Sequence, residues 1–256
     1  MNLANRIFNY LSRKKNRAGT EPEICGLFFQ AMPHHPGVSH TMLQSVLRLD
    51  GRFHYDDRNG LWFVNEDMLS IRLPEAEYCI IDIETTGFNR QFDRIIEIGA
   101  VKIVDGELYS KMDLLINPER PVPFKITQLT GLAEEMLVDK QPFHEIVPAL
   151  MEYIGSSVLV AHHSDFDLGF INASLQRCGH HPLDNITLCS CKIARRLFPS
   201  LQSHSLDSVA KYLDLSFTAR HRAYDDALVT AHLFQKCLNA LQKKGVNTLR
   251  ELKYFV

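Results

Sequence analysis

The stretch "YCIIDIETTGF", residues 78–88, sets Asp82 and Glu84 two positions apart in an otherwise apolar run. Short runs rich in isoleucine read as strands. Side chains on a strand alternate between its faces, so the two acids share one face while Ile81 and Ile83 take the other. Two like charges held side by side in a partly buried place are unfavourable unless a proton or a cation lies between them. The stretch therefore predicts a central strand that carries part of a cation site.

The flanking sequence sets that strand in a mixed sheet. "RIIEIGAVKIVDGEL" (94–108) and "YSKMDLLINP" (109–118) read as two further strands, with Asp105-Gly106 as a turn signal. Helical spacing then appears in "PFHEIVPALMEYIG" (142–155) through Ile146, Leu150 and Ile154, and "SVLVAH" (157–162) reads as a short buried strand. "DFDLGFINASLQRCG" (165–179) reads as a helix closed by Gly179. One more strand, "NITLCS" (185–190), precedes helices in "KIARRLFP", "HSLDSVAKYLDL" and "AYDDALVTAHLFQKCLNALQKK". Antiparallel strands followed by alternating helices and strands predict an α/β domain with a mixed five-stranded sheet flanked by helices.

Bulk properties narrow the function classes. The chain has 256 residues, 45% of them hydrophobic and 23% charged, which is globular and long enough for one large domain plus a small one. A formal charge of −2 excludes a strongly basic nucleic-acid coat, though not a local positive groove. Six cysteines without a CxxC pair predict neither a disulfide framework nor a zinc site, and are read as reduced thiols of a cytoplasmic protein. No apolar run reaches the roughly 18–20 residues of a membrane span.

Composition divides the chain into three parts: a basic N-terminal tail at 1–20, a small winged-helix-like module at 21–72, and the α/β domain at 73–256. Within the module, "VSHTMLQSVLRLD" (38–50) reads as a helix capped by Ser39 with Met42, Leu43, Val46, Leu47 and Leu49 on its apolar face. "RFHYDDRNGLWFV" (52–64) reads as a hairpin turning at Asn59-Gly60. Three basic side chains against seven acidic ones in residues 21–70 give it little with which to hold phosphates, so the expected role is packing or a protein partner.

If a cation sits between Asp82 and Glu84, further acids must converge on it. Asp167, just after a short buried strand, and Asp226, near the start of a long helix, are the best placed, because strand ends and helix starts are where a mixed sheet opens a cleft. Hard divalent cations such as Mg²⁺ prefer oxygen ligands, and two of them can hold the attacking and leaving oxygens of a displacement at phosphorus. His221 precedes Asp226 by five residues, a step of about 140° on a helix, so it must lie in the preceding loop to face the same cleft. There it can accept a proton from water near neutral pH.

"DIETTG" (82–87), "HHSDFD" (162–167) and "HRAYDD" (221–226), in this order, resemble the three exonuclease motifs of the DEDDh family. These are the DnaQ-like 3′→5′ exonucleases typified by the proofreading epsilon subunit of bacterial DNA polymerase III. "FKITQLTGL" (124–132) is similar to the family's substrate-side motif, and the resemblance covers about residues 77–240. It implies a ribonuclease H-like fold and two bound Mg²⁺ or Mn²⁺ ions. The expected reaction is release of 5′-nucleoside monophosphates from nucleic acid 3′ ends, with DNA favoured over RNA.

Residue by residue, the resemblance implies metal binding by Asp82, Glu84, Asp167 and Asp226, with His221 as general base. It places Thr85, Thr86 and Gly87 against the terminal nucleotide, with Phe88, Phe166 and His163 as further substrate contacts. Asp165 is read as a helix cap, and Glu97 as a structural acid. An RNA-trimming exoribonuclease and a silent nucleic-acid-binding module are the rival readings. The 30 residues beyond Asp226 leave little room for the polymerase-binding tail of an epsilon subunit, so a stand-alone or repair-associated enzyme is expected and polymerase association stays open.

Overall fold

The computed structural model describes residues 3–12, 14, 17–29, 36–48, 50, 52–64 and 68–256. The chain divides into two compact units, Met1–Ile71 and Arg72–Val256.

The first unit runs α1 (Leu3–Ser12), β1 (Ala18–Thr20), α2 (Glu21–Phe28), α3 (Pro36–Leu47), β2 (Phe53–Asp56) and β3 (Leu61–Val64), with an antiparallel sheet in the order β1-β3-β2. This is a winged-helix-like order of elements. The reading of residues 1–20 as a tail is corrected. Ile7, Phe8 and Leu11 fall on one face of α1 and are buried with Ile24, Leu43, Leu47 and Trp62, so apolar spacing within a basic segment builds a core helix. The helix assigned to 38–50 begins two residues earlier, at Pro36, whose fixed φ suits a first turn, so Ser39 lies inside it rather than at its cap. Leu49 lies outside the described residues. At the hairpin, the Asp56 carboxylate accepts from the Arg58 N–H at 2.9 Å and from Asn59 Nδ2 at 2.6 Å, which closes the turn.

The second unit is built on β4 (Tyr78–Thr85), β5 (Ile95–Val104), β6 (Glu107–Leu115), β7 (Val158–Ala161) and β8 (Thr187–Cys189), in the sheet order β6-β5-β4-β7-β8. β4, β5 and β6 are antiparallel, joined at β5–β6 by Asp105 and Gly106 with φ of 52° and 81°. β7 and β8 run parallel to β4. Around the sheet lie α4 (Phe124–Thr130), α5 (Glu134–Leu137), α6 (Phe143–Ile154), α7 (Ser164–Arg177), α8 (Ser190–Leu197), α9 (Leu206–Tyr212), α10 (Ala223–Lys243) and α11 (Leu249–Phe255). Ile81 and Ile83 pack with Ile146, Leu150, Leu168 and Ile171 of α6 and α7, as strand alternation requires. That core leaves Asp82 and Glu84 on the opposite face. No helix among the described residues is long and apolar enough to cross a membrane.

Candidate active site

Four chain segments bring the acids together. Asp82 pairs across the ladder with Gly99 and Glu84 with Glu97, so the face that carries the acids continues onto β5. A side-chain carbon added at Gly99 would lie 2.1 Å from the Ala223 carbonyl carbon and 2.1 Å from the Tyr224 nitrogen. The missing Cβ is what lets the first turn of α10 rest on the sheet beside Asp82. The seat is fastened by Glu97, fully buried, which accepts from the Ala223 N–H at 2.9 Å and from Arg222 Nη2 at 2.7 Å. Asp226 lies in the first turn of the helix so docked.

Asp167 arrives from the other side. β7 ends its pairing with β4 at Val160–Ile80, leaving the next stretch of β4 without a strand partner on that edge. His163, with φ of 71°, turns the chain into α7, and Asp167 in its first turn accepts the Ile83 N–H at 3.2 Å. That N–H lies between the two acids of β4. Asp165 does not cap α7: the cap position belongs to His163, and Asp165 sits exposed in the first turn, 3.7 Å from Lys192 Nζ.

Burial raises all four carboxyls, and repulsion from neighbouring acids adds to it. Burial, then the charges of Asp167, Asp226 and Glu84, hold Asp82 well above the ordinary carboxylate range. Burial also pushes Glu84 and Asp167 up to about 8 and Asp226 up to about 6. Such a group is stable only when protonated or when it shares a cation. Asp226 Oδ1 is buried and has no hydrogen-bond partner. The ligand atoms of Glu84, His221 and Asp226 lie within 4.8 Å of one another. An orphaned buried oxygen among hard oxygen donors suits a divalent ion such as Mg²⁺ or Mn²⁺.

His221 lies in the loop before α10, as its spacing requires, and its φ of 60° turns the chain between two arginines. Arg222 points to Glu97, and Arg220 to Asp226 and Asp207. Burial and the Arg220 charge keep the His221 ring below its usual pKa, which favours the neutral form a proton acceptor needs.

The turn after β4 is tied by its own hydrogen bonds. The Thr85 hydroxyl donates to the Gly87 carbonyl at 2.6 Å, and the Thr86 hydroxyl accepts the Arg94 N–H at 3.0 Å. Gly87 is needed for close approach and not for a left-handed turn, because a Cβ there would lie 2.4 Å from an oxygen of the Asp93 carboxylate. Phe88 stands 80% exposed with its ring centroid 6.2 Å from Phe166, which itself rests on Phe170. His163 is exposed, whereas His162 is buried between Ser190 Oγ and the His204 carbonyl, each 2.9 Å away. His162, His163 and Cys191 converge too, but both His162 nitrogens already have partners.

Sequence reasoning missed Gly99, Asp93, Arg220 and Asp207. Only the lone glycine in "IIEIGAV" signalled a close approach.

A ribonuclease H-like sheet that gathers four carboxylates and a loop histidine defines a nuclease of the DEDDh type. The sequence model of the RNase_T exonuclease family matches residues 79–234, and the chain belongs to that family. The chain is 41% identical over 181 residues to the PolC-type DNA polymerase III of Clostridium perfringens, covering 69% of this chain and 12% of the polymerase. It is 35% identical over 181 residues to the Bacillus subtilis enzyme of that name, covering 70% of this chain and 13% of the polymerase. It thus spans about an eighth of these relatives.

Among solved structures, exonuclease X in complex with 5′ overhanging duplex DNA superposes with a TM-score of 0.55 at 27% identity, covering 70% of this chain and 99% of that one. The nuclease domain of 3′hExo, a DEDDh family member bound to rAMP, shares the fold at a TM-score of 0.58 and 18% identity, covering 68% of this chain and 95% of that one. The chain thus carries an exonuclease-family domain, and exonuclease domains of this family use divalent metals.

Proposed function

We propose that the enzyme trims DNA from single-stranded or mismatched 3′ ends, releasing 5′-nucleoside monophosphates. The observation that carries this reading is the convergence of Asp82, Glu84, Asp167 and Asp226, from β4, α7 and α10, beside a loop histidine whose pKa is held below its usual value. Asp82, Glu84, Asp167 and Asp226 would hold two Mg²⁺ or Mn²⁺ ions, which when bound supply charge stabilisation at the attacking and leaving oxygens. His221 takes the proton of the attacking water on a ring nitrogen. Phe88, backed by Phe166, offers the terminal base an aromatic face without sequence preference. The tied turn of Thr85, Thr86 and Gly87 fixes the floor on which the terminal nucleotide sits, and exposed His163 borders it. DNA is favoured over RNA because the polymerases similar to this chain act on DNA by name. The winged-helix-like unit would meet a protein partner.

The test is digestion of 5′-labelled single-stranded DNA, 3′-mismatched duplex and single-stranded RNA with Mg²⁺ or Mn²⁺, with Asp226→Ala as control. A metal-dependent ladder shortening from the 3′ end, fastest on DNA and absent in the variant, supports the reading. Faster RNA shortening moves the assignment to an exoribonuclease, and no shortening of any substrate refutes it.

A further inference from the structure

Asp226 is the carboxylate whose two oxygens have opposite fates. Oδ1 is buried without a partner, while Oδ2 accepts a close hydrogen bond from Arg220 Nη1. The same guanidinium grips a second acid from its other side, Nε to Asp207 Oδ1 at 2.7 Å and Nη2 to Asp207 Oδ2 at 3.1 Å, and lies 5.0 Å from the Phe217 ring centroid. The two acids differ in surroundings: the Asp226 side chain is 4% exposed and that of Asp207 59% exposed. One arginine therefore bridges a buried carboxylate of the metal cluster and an exposed one outside it.

We infer that Arg220 is a resident counter-ion that occupies Asp226 in the metal-free enzyme, yields it to the incoming divalent ion, and is kept by Asp207 while the ion is bound. The inference rests on the reading of the four acids as a divalent-cation site. Three features carry it. A lone carboxylate buried beside three others needs a positive partner, and among the described residues Arg220 is the cation in contact with Asp226. Arg220 shares that carboxylate with any metal bound there, so the two cations compete for it and repel each other. Asp207 holds Arg220 through Nε and Nη2, whereas Asp226 is reached through Nη1 alone. Release of Asp226 thus frees one nitrogen and keeps the fork on Asp207, so the exchange is a short swing of an anchored side chain. The left-handed turn at His221 permits this, because it sends Arg222 to Glu97 and leaves Arg220 independent of the helix seat. Arg220 acts through Asp226 and is a positioning residue.

The test is Mn²⁺ binding to the full chain without nucleic acid, followed as free Mn²⁺ by electron paramagnetic resonance. Arg220→Gln removes the competing cation and is expected to bind Mn²⁺ about tenfold more tightly. Asp207→Asn removes the alternative partner, leaves Arg220 on Asp226, and is expected to bind several-fold more weakly. Thermal melts with and without Mn²⁺ provide a second readout: the Mn²⁺-induced rise in Tm is larger than wild type in Arg220→Gln and smaller in Asp207→Asn. Opposite shifts in the two variants support the exchange. Weaker binding in both means that the bridge is a fixed brace for Asp226 and overturns it. Equal binding in all three proteins also overturns it, with the cation site intact. No binding by any of them overturns the cation site as well.

Discussion

Replacing Gly99 by alanine adds one methyl group and no charge, yet it strikes the joint on which the site depends. The new carbon would stand 2.1 Å from backbone atoms of Ala223 and Tyr224, and neither is the tip of a flexible side chain. The gap between β5 and α10 has to open by about 1–2 Å before carbon atoms regain ordinary contact. Overpacking of that kind costs about 1–3 kcal/mol. Stretching the charged hydrogen bond from the Ala223 N–H to buried Glu97 adds about 1.5–3 kcal/mol, and reduced freedom of the unfolded chain returns about 0.4–1 kcal/mol. The expected net loss is about 2–5 kcal/mol in urea unfolding. Asp226 rides on the displaced turn, and a misplacement of about 1 Å lowers kcat about a hundredfold, so Gly99→Ala should lose activity even where it remains folded. Circular dichroism during a urea titration and steady-state digestion of 5′-labelled single-stranded DNA measure the two effects. A variant within about 0.5 kcal/mol of wild type, with unchanged kcat, would refute the argument that this glycine seats the helix.

Stability of the metal-free enzyme should fall with rising pH. Glu84 and Asp167 are raised by burial to about 8, so the folded state holds more protons than the unfolded chain above about pH 4.5. Their contribution is complete below the unfolded value and is lost as pH climbs towards 8; urea midpoints at pH 5 and pH 8 with chelator should show the drop, added Mg²⁺ should reverse it, and equal midpoints would contradict it. Glu84→Gln should raise the chelated protein's stability at pH 8 by at least ~1 kcal/mol while abolishing digestion, and a gain as large at pH 4.5 would show another cause. His221→Ala should lower kcat by about 10²–10⁴ and remove the acidic limb of the pH–rate profile, an assignment that fails if the limb persists. Glu97→Leu leaves Arg222 unpaired and the Ala223 N–H without its acceptor, and should cost about 3–5 kcal/mol; a loss below 1 kcal/mol would mean the helix seat does not need this acid.

What was legible in the sequence and what was not follow from the range of each interaction. Alternation along β4 is local, so the shared face of Asp82 and Glu84 could be read from five residues. His221 was legible for the same reason, because a five-residue step is incompatible with one helix face. The tail reading failed where composition was trusted over spacing: basic residues at 13–17 hid an apolar face at Ile7, Phe8 and Leu11. Gly99, Asp93, Asp207 and Arg220 stayed hidden because each acts through a partner distant in the chain or across a loop, and no periodicity links Gly99 to Ala223 or Asp207 to Arg220. These residues also share a consequence. The acids repel one another, so their placement is imposed from outside the cluster: by the glycine that admits α10, by Glu97 that fastens its first turn, and by the Ile83 N–H that holds Asp167. The contacts around the carboxylates, and not the acids themselves, decide whether they can stand this close together.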